Sequence, residues 1–236
     1  MKIFCNKISP IKFEDAFYEL DKNSIHVWLV EVTNENNILS TLREIFNADE
    51  NKRTDRFAFE KDRNQFITAH GSLRKILSKY LSVETGQIQF RKTGNKKPYI
   101  LFPPASLKFN ISHSENKILI AVSDNEIGVD IEKIKPGLEY NGLVKNYFSI
   151  KEQQIILNSK MPGEAFYKLW TRKEAVLKAN GMGISDDLKN IEVCSDENHS
   201  PFNQDYYISS FLIENFYGSV ASPVNNNSIY FFKYNF

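Results

Sequence analysis

The chain has 236 residues, enough for one domain or two half-size ones around a substantial hydrophobic core. Its charges almost balance, with 30 Lys and Arg against 29 Asp and Glu, so it lacks the basic character of a nucleic-acid-binding protein. Its two cysteines, Cys5 and Cys194, lie far apart in the sequence and predict free thiols in a reducing cytoplasm. We find neither a signal-peptide pattern nor an apolar run of membrane-spanning length, which predicts a cytoplasmic protein without membrane contact.

The predicted elements begin with a buried strand at His26–Val32, which is short and rich in β-branched and aromatic residues. Apolar residues then recur at helical spacing from Phe66 to Tyr80, which predicts one long amphipathic helix. Three short strands are predicted to follow as a meander, at Leu107–Ile111, Ile118–Ser123 and Ile127–Glu132.

A second helical stretch runs from Ser149 to Asn180, with an interruption at Pro162-Gly163 and Gly181 as its C-terminal cap. Its apolar stripe places the stem of Lys173 at the rim of the core. Three strands are predicted to close the chain, at Tyr206–Ile213, Tyr217–Ala221 and Ser228–Phe236. Since the order of strand, long helix and strands occurs twice, we predict an α+β protein of two related halves, residues 1–124 and 125–236.

An acidic strand is the most informative segment of the sequence. In Gly-Val-Asp-Ile-Glu, the apolar residues Val129 and Ile131 alternate with Asp130 and Glu132. Successive strand side chains point to opposite faces, so both carboxylates share the face away from the core. Gly128, which precedes them, indicates a close approach of another part of the backbone.

A third carboxylate lies on the second helix. Glu174 and Lys178 are four residues apart and therefore share one helix face. A similar Lys-Glu pair ends at Glu152, but Ile156 follows one turn later and cannot meet a phosphate, so we interpret Glu152 as a solvent-exposed or capping residue. Two carboxylates on a strand and one on a helix make an oxygen cage suited to Mg²⁺ and phosphates, which predicts phosphoryl-type transfer.

Several other residues can bind an anion. Ser112 and His113 stand at the end of a predicted strand, in a Ser-His-Ser turn that offers hydroxyl, imidazole and N–H groups. Lys97 belongs to one basic cluster, and Lys52 and Arg56 belong to another. The sequence has no Walker-type loop and no Gly-x-Ser-x-Gly elbow, which excludes a P-loop nucleotide site and disfavours a Ser-His-Asp hydrolase.

In this order, the motifs resemble those of the larger, surfactin-type 4′-phosphopantetheinyl transferases, in the bacterial subgroup with three carboxylates. The family signature is Val/Ile-Gly-Val/Ile-Asp followed by Phe/Trp-x-x-Lys-Glu-Ala/Ser-x-x-x-Lys, and here 44 residues separate Asp130 from Glu174. Phe109-Asn-Ile-Ser-His-Ser, the Lys97-Pro98 pair and Gly181-Met-Gly-Ile184 match as well, so the resemblance covers nearly the whole chain.

The resemblance implies an enzyme that moves phosphopantetheine from coenzyme A (CoA) to a serine of an apo acyl or peptidyl carrier protein. The reaction would need Mg²⁺, with Mn²⁺ as an alternative ion, and would release adenosine 3′,5′-bisphosphate. The family fold is a monomer with two pseudo-symmetric halves, and CoA lies between them. The resemblance assigns metal binding to Asp130, Glu132 and Glu174, and catalysis to Glu174, as the base, and Lys178. The implied CoA contacts are Lys52, Arg56, Lys97, Ser112, His113 and Lys178.

Two departures and two alternatives accompany this resemblance. The chain departs from the family pattern at Asp55, beside Arg56, and at His70-Gly71 in the long helix. One alternative is another metal-dependent phosphoesterase or nuclease, although the balanced charge argues against a nucleic-acid substrate. The other is a non-enzymatic module that binds CoA or a carrier, which the complete set of three acids and Lys178 disfavours.

Overall fold

The computed structural model describes residues 1–137, 139–182, 186–225 and 228–236. The helices in these ranges are α1 (Asn36–Glu44), α2 (Ala48–Thr54), α3 (Glu60–Leu81), α4 (Asn141–Tyr147), α5 (Ile150–Leu157) and α6 (Pro162–Asn180). The strands are β1 (Lys2–Lys7), β2 (Phe13–Glu14), β3 (Ser24–Glu31), β4 (Gln89–Lys92), β5 (Pro98–Phe102), β6 (Lys108–Ser114), β7 (Lys117–Ser123), β8 (Gly128–Lys133), β9 (Glu197–His199), β10 (Tyr206–Ile213), β11 (Phe216–Ser222) and β12 (Ser228–Lys233). The α+β prediction is confirmed. None of the described helices is both long and apolar enough to cross a membrane.

Two five-stranded sheets carry the fold, in the orders β2-β12-β3-β7-β6 and β8-β11-β10-β1-β9. The predicted meander is wrong at its third strand. β7 lies between β3 and β6 and therefore has no free edge for β8, which pairs with β11 in the other sheet. As a result β6 and β8 are edge strands of different sheets.

The two halves have the same topology, which confirms the predicted pseudo-symmetry. In one half β3, α3, β6 and β7 give the antiparallel order β3-β7-β6, and in the other β8, α6, β10 and β11 give β8-β11-β10. The β6–β7 hairpin and the β10–β11 hairpin both have a Glu-Asn turn. In each turn the glutamate adopts the left-handed conformation, with φ 51° for Glu115 and 54° for Glu214. The asparagine that follows each glutamate accepts a hydrogen bond, on its carbonyl oxygen, from the residue just after the first strand of that half. The Val32 N–H donates to the Asn116 carbonyl at 2.9 Å, and the Ile134 N–H donates to the Asn215 carbonyl at 2.8 Å.

The terminal strands cross between the halves. β1 pairs in parallel with β10, so the first strand of the chain belongs to the second sheet. β12 pairs in parallel with β3, so the last strand belongs to the first sheet. The division of the chain into two halves near residue 125 stays a prediction. Because each half contributes a terminal strand to the sheet of the other, the two halves are interlocked.

The core forms layers in the order helix, sheet, sheet, helix. β3 shows why, since Val27 and Leu29 face the apolar layer between the sheets while Trp28 and Val30 face α3. β8 follows the same alternation, with Val129 in the layer between the sheets. Its alternate residues therefore face the α6 side, as the acidic-strand pattern predicts.

Candidate active site

The candidate site lies on a seam where β6 and β8 run side by side. Side chains join the two edge strands at every second position. Asn110 Oδ1 accepts a hydrogen bond from the Val129 N–H at 2.9 Å. Ser112 Oγ donates to Asp130 Oδ1 at 2.8 Å, and one step further Ser114 Oγ donates to Glu132 Oε2 at 2.9 Å.

This seam corrects one prediction, since Ser112, His113 and Ser114 belong to strand β6 instead of a turn. The turn comes after them, at Glu115. Because strand residues alternate, Ser112 and Ser114 both meet the acidic strand, while His113 lies on the other face of β6, which is turned toward α3.

Gly128 allows β8 to lie directly against the backbone of α6. A Cβ atom at this position would lie 2.0 Å from the carbonyl oxygen of Ala175 and 2.3 Å from the amide nitrogen of Ala179. The predicted close approach at Gly128 is therefore confirmed. It brings the acidic strand within reach of Glu174 and Lys178 on the helix.

The local structure of α6 agrees with its sequence signals at both ends. Pro162 is at the start of the helix, and Gly181 ends it in the left-handed conformation, with φ 78°. The prediction for Lys173 is wrong, because its ammonium group is fully buried and pairs with Glu152 at 2.8 Å. Glu152 does cap α5, as predicted, but it is also fully buried and thus not a solvent-exposed residue.

Lys178 closes the site around Asp130. Its Nζ donates to Asp130 Oδ1 at 2.7 Å and to Ser112 Oγ at 2.9 Å. Asp130 is only 3% exposed and Glu174 only 8%. Among the residues that the structure describes, Asp130 Oδ2 and Glu174 Oε1 are buried oxygens without a hydrogen-bond donor. A buried carboxylate oxygen without a partner is costly, so a bound cation, an outside donor or a proton on the carboxyl group would stabilise the site.

Burial and mutual repulsion change the pKa values of the acids. Removal from water, followed by the charge of Asp130, raises the pKa of Glu174 to about 7, despite the opposing effect of Lys178. Burial and the same aspartate also raise the pKa of Glu132. Partial burial and the charge of Lys178 lower the pKa of His113. Glu174 can therefore exchange a proton near neutral pH.

A cleft of about 590 Å³ opens over this cluster. It is lined by six of the predicted site residues, Ser112, His113, Asp130, Glu132, Glu174 and Lys178. The opposite wall comes mainly from α2 and α3 and contains residues that the sequence analysis did not select: Arg53, Phe57, Asp62, Gln65, Phe66, Ala69 and His70. From Asp62 to His70 these residues follow the spacing of one helix face, which is the signal that would have found them.

The predicted basic residues do not line this cleft together. Lys97 donates to Glu126 at 2.6 Å and to the Ala179 carbonyl at 3.0 Å, and borders a neighbouring hollow that Lys178 also lines. Lys52 and Arg56 are absent from the described lining. Arg53 does line the cleft, with its guanidinium 4.7 Å from the centre of the Phe66 ring.

The donor chemistry of the site fits a magnesium ion. The three carboxylates supply the hard oxygen ligands that Mg²⁺ prefers, and two of them carry the unpartnered oxygens described above. Within the described ranges, however, no three His, Cys, Asp or Glu side chains already form a metal site. Lys178 occupies the second oxygen of Asp130 instead. The residues fit the ion in kind, but not as a preformed cage.

Two family models match consecutive parts of the chain. Residues 33–125 match the model described as 4′-phosphopantetheinyl transferase, N-terminal. Residues 126–221 match the model described as 4′-phosphopantetheinyl transferase superfamily. In the loop after Gly181, the family-like residues Gly183 and Ile184 lie outside the described ranges.

Curated proteins from several bacteria are similar to the chain. It is 35% identical to the 4′-phosphopantetheinyl transferase HetI of Nostoc sp. over 72% of this chain and 74% of that protein. It is 28% identical to the 4′-phosphopantetheinyl transferase psf-1 of Bacillus pumilus, over 80% and 72% of the two chains. A 4′-phosphopantetheinyl transferase of Bacillus subtilis is 33% identical over 64% of this chain and 68% of its own length.

Proposed function

Because this chain belongs to the 4′-phosphopantetheinyl transferase superfamily, we propose that it takes 4′-phosphopantetheine from CoA. The acceptor is a serine of an apo acyl or peptidyl carrier protein, and the second product is adenosine 3′,5′-bisphosphate. One observation carries the proposal: Lys178, Ser112 and Asp130 meet in the same cleft as Glu132 and Glu174. Membership of this enzyme family also removes the support for a nuclease or a non-enzymatic module.

Glu174 is the proposed base. In the transfer, the serine oxygen forms a bond to the phosphorus that carries pantetheine, and the P–O bond to adenosine 3′,5′-bisphosphate breaks. The serine proton passes to Glu174, directly or through a water molecule. The Glu174 carboxylate has a buried oxygen without a donor, which is available to accept the serine proton.

Positive charge supports the phosphate groups from two sources. Lys178 would exchange its bond to Asp130 for the phosphoryl oxygens, where negative charge grows during transfer. We propose that Asp130, Glu132 and Glu174 hold Mg²⁺, which when bound supplies charge neutralisation at the pyrophosphate. Ser112, His113 and Lys97 are proposed to contact CoA phosphates.

We predict that Arg53 contributes more to CoA binding than Lys52 or Arg56 does. Arg53 lines the cleft, and losing one charge-assisted contact weakens phosphate binding by about tenfold or more. Arg53→Gln should therefore raise KM for CoA by about that factor, with a smaller change in Lys52→Gln and Arg56→Gln. Steady-state kinetics with CoA as the varied substrate measures all three. A larger effect at either of the other two positions would place the phosphate contact outside the cleft.

The function is tested by incubating the protein with CoA, Mg²⁺ and several apo carrier proteins of fatty-acid, polyketide and peptide-synthetase type. Intact-mass spectrometry should show one phosphopantetheine adduct on at least one carrier and none on a carrier whose acceptor serine is changed to alanine. No adduct on any carrier would refute the proposal.

We also propose that the enzyme is cytoplasmic and acts as a monomer. The monomer is favoured because one chain supplies both walls of the cleft. Sedimentation at working concentration tests the oligomeric state.

A further inference from the structure

A similar buried ion pair is present in each half. In the N-terminal half, Arg74 of α3 pairs with Glu50 of α2 at 2.8 Å, with side chains 2% and 14% exposed. In the C-terminal half, Lys173 of α6 pairs with Glu152 of α5 at 2.8 Å, and both side chains are fully buried. Each glutamate also completes a capping box at the start of its helix. We call Glu50 with Arg74 the N-terminal clasp, and Glu152 with Lys173 the C-terminal clasp.

The similarity of the clasps extends to their other contacts. Beyond its glutamate, Arg74 donates to the carbonyl oxygens of Thr85, the first residue of a short 3₁₀ helix, and of Ile88, which follows that helix. Lys173 likewise donates to the carbonyl oxygens of Leu188 and Ile191 at the next such helix along the chain. In both clasps an aromatic ring lies about 5 Å from the charge, Phe90 at 5.0 Å and Phe148 at 5.2 Å. The clasp is therefore a repeated device.

The C-terminal clasp is the one beside the catalytic residues. Lys173 immediately precedes Glu174, and consecutive helix residues point about 100° apart, so one faces the clasp and the next faces the cleft. Glu152 also accepts a hydrogen bond from the Val193 N–H at 2.9 Å, and the Val193 carbonyl accepts one from Arg172 at 2.7 Å. Two consecutive residues of α6 are thereby tied to the segment that follows the helix. Rotation of α6 about its axis would break both ties.

We propose that Glu152 and Lys173 are positioning residues, which fix the rotation of α6 so that Glu174 and Lys178 face the cleft. Neither clasp residue lines the cleft, so they act through their neighbours. The ion pair is suited to this task because separating its two partners leaves an unpaired buried charge, which is costly. A purely apolar contact would let α6 shift against α5 at a lower cost. The inference rests on the proposed function through the roles of Glu174 and Lys178.

Glu152→Gln tests the inference, with Glu50→Gln as its matched control in the other half. The two tryptophans of the chain report on the halves separately, because Trp170 lies on α6 and Trp28 lies in the core under α3. In protein labelled with 5-fluorotryptophan, Glu152→Gln should shift or broaden the ¹⁹F resonance of Trp170. Glu50→Gln should disturb only the Trp28 resonance.

Kinetics of transfer from CoA provides the second measurement. A displacement of about 1 Å at a reacting group costs about 100-fold in rate, so Glu152→Gln should lower kcat by about 10- to 100-fold with KM for CoA nearly unchanged. Glu50→Gln should lower the melting temperature with much less effect on kcat. The double variant Glu152→Gln with Lys173→Met removes both charges, and it should recover melting temperature without recovering kcat.

Three results would overturn the positioning role: an unchanged Trp170 resonance, equal losses of kcat in Glu152→Gln and Glu50→Gln, or recovery of kcat together with stability in the double variant. The last two would reduce the clasp to a purely structural contact. If the unmodified protein transferred nothing from CoA, the proposed function would fail. The ¹⁹F comparison would still decide whether the clasp orients α6.

Discussion

Glu174→Gln is expected to lower transfer by about 1,000-fold or more, while leaving the fold intact. The amide keeps the shape of the side chain but cannot accept the serine proton, and general bases contribute about 100- to 10,000-fold to such reactions. It also removes one of the three carboxylates proposed for the metal. Glu164→Gln, in the first turn of the same helix and outside the cleft, is the control and should retain near-normal turnover. Near-normal turnover in Glu174→Gln would refute the assignment of the base.

The same substitution should stabilise the protein when no divalent ion is present. A carboxyl group whose pKa rises from 4.5 to about 7 on folding binds more protons in the folded state over that interval. Its contribution to stability is therefore full below pH 4.5 and is lost as pH rises through about 7, at a cost of at most ~3 kcal/mol. Glu174→Gln removes this cost, since the amide carries no charge.

Urea unfolding with EDTA at two pH values measures this effect. At pH of about 8 the variant should be more stable than the unmodified protein by up to ~3 kcal/mol, and at pH of about 5 the two should differ little. At the higher pH, excess Mg²⁺ should reduce the difference in unfolding free energy between the variant and the unmodified protein, because a cation relieves the repulsion among the acids. An equal gain at both pH values would attribute the stabilisation to packing instead of charge.

The grouping of the four candidate site residues in one place could be predicted because its signals are local. Alternation in one strand sets the common face of Asp130 and Glu132, and a spacing of four in one helix sets that of Glu174 and Lys178. The structure brings all four residues to one cleft. Neither pattern depends on knowing how distant parts of the chain pair.

The wrong predictions concern features that depend on contacts between distant parts of the chain. The local sequence predicts β8 as the third strand of a meander, but both edges of β7 are already paired, so β8 joins β11. Lys52 and Arg56 stay predictions, but Arg53 is the one of the three that lines the cleft, and this depends on helix rotation, which a short charged segment does not reveal. Glu152 has the sequence of an exposed cap, and its burial depends on Lys173, which is 21 residues later.

The geometry of the site depends most on Gly128, and Gly128→Ala is expected to separate β8 from α6. The new Cβ would lie 2.0 Å from the Ala175 carbonyl oxygen and 2.3 Å from the Ala179 amide nitrogen. Because both atoms belong to the backbone, no rotamer change can relieve the contact, and the whole helix must move. We expect a loss of about 3 kcal/mol in the free energy of unfolding, at the upper end for an overpacked site.

The helix movement should lower catalysis as well as stability. α6 carries Glu174 and Lys178, while β8 carries Asp130, so separating the two elements by about 1 Å should lower kcat by about 100-fold. Gly163→Ala provides the control on the same helix, since no described atom lies within 4 Å of the position that its new methyl group would take. That variant should keep full activity and gain about 0.5 kcal/mol, because alanine favours the helix over glycine.

Truncating the neighbouring side chains separates backbone contact from ordinary side-chain crowding. Adding Ala179→Gly to Gly128→Ala removes a methyl group but neither of the two clashing backbone atoms, so it should restore neither kcat nor stability. Urea unfolding and transfer kinetics on the single and double variants measure both quantities. Recovery in the double variant would mean that side chains, instead of the backbones of β8 and α6, set the distance between these two elements.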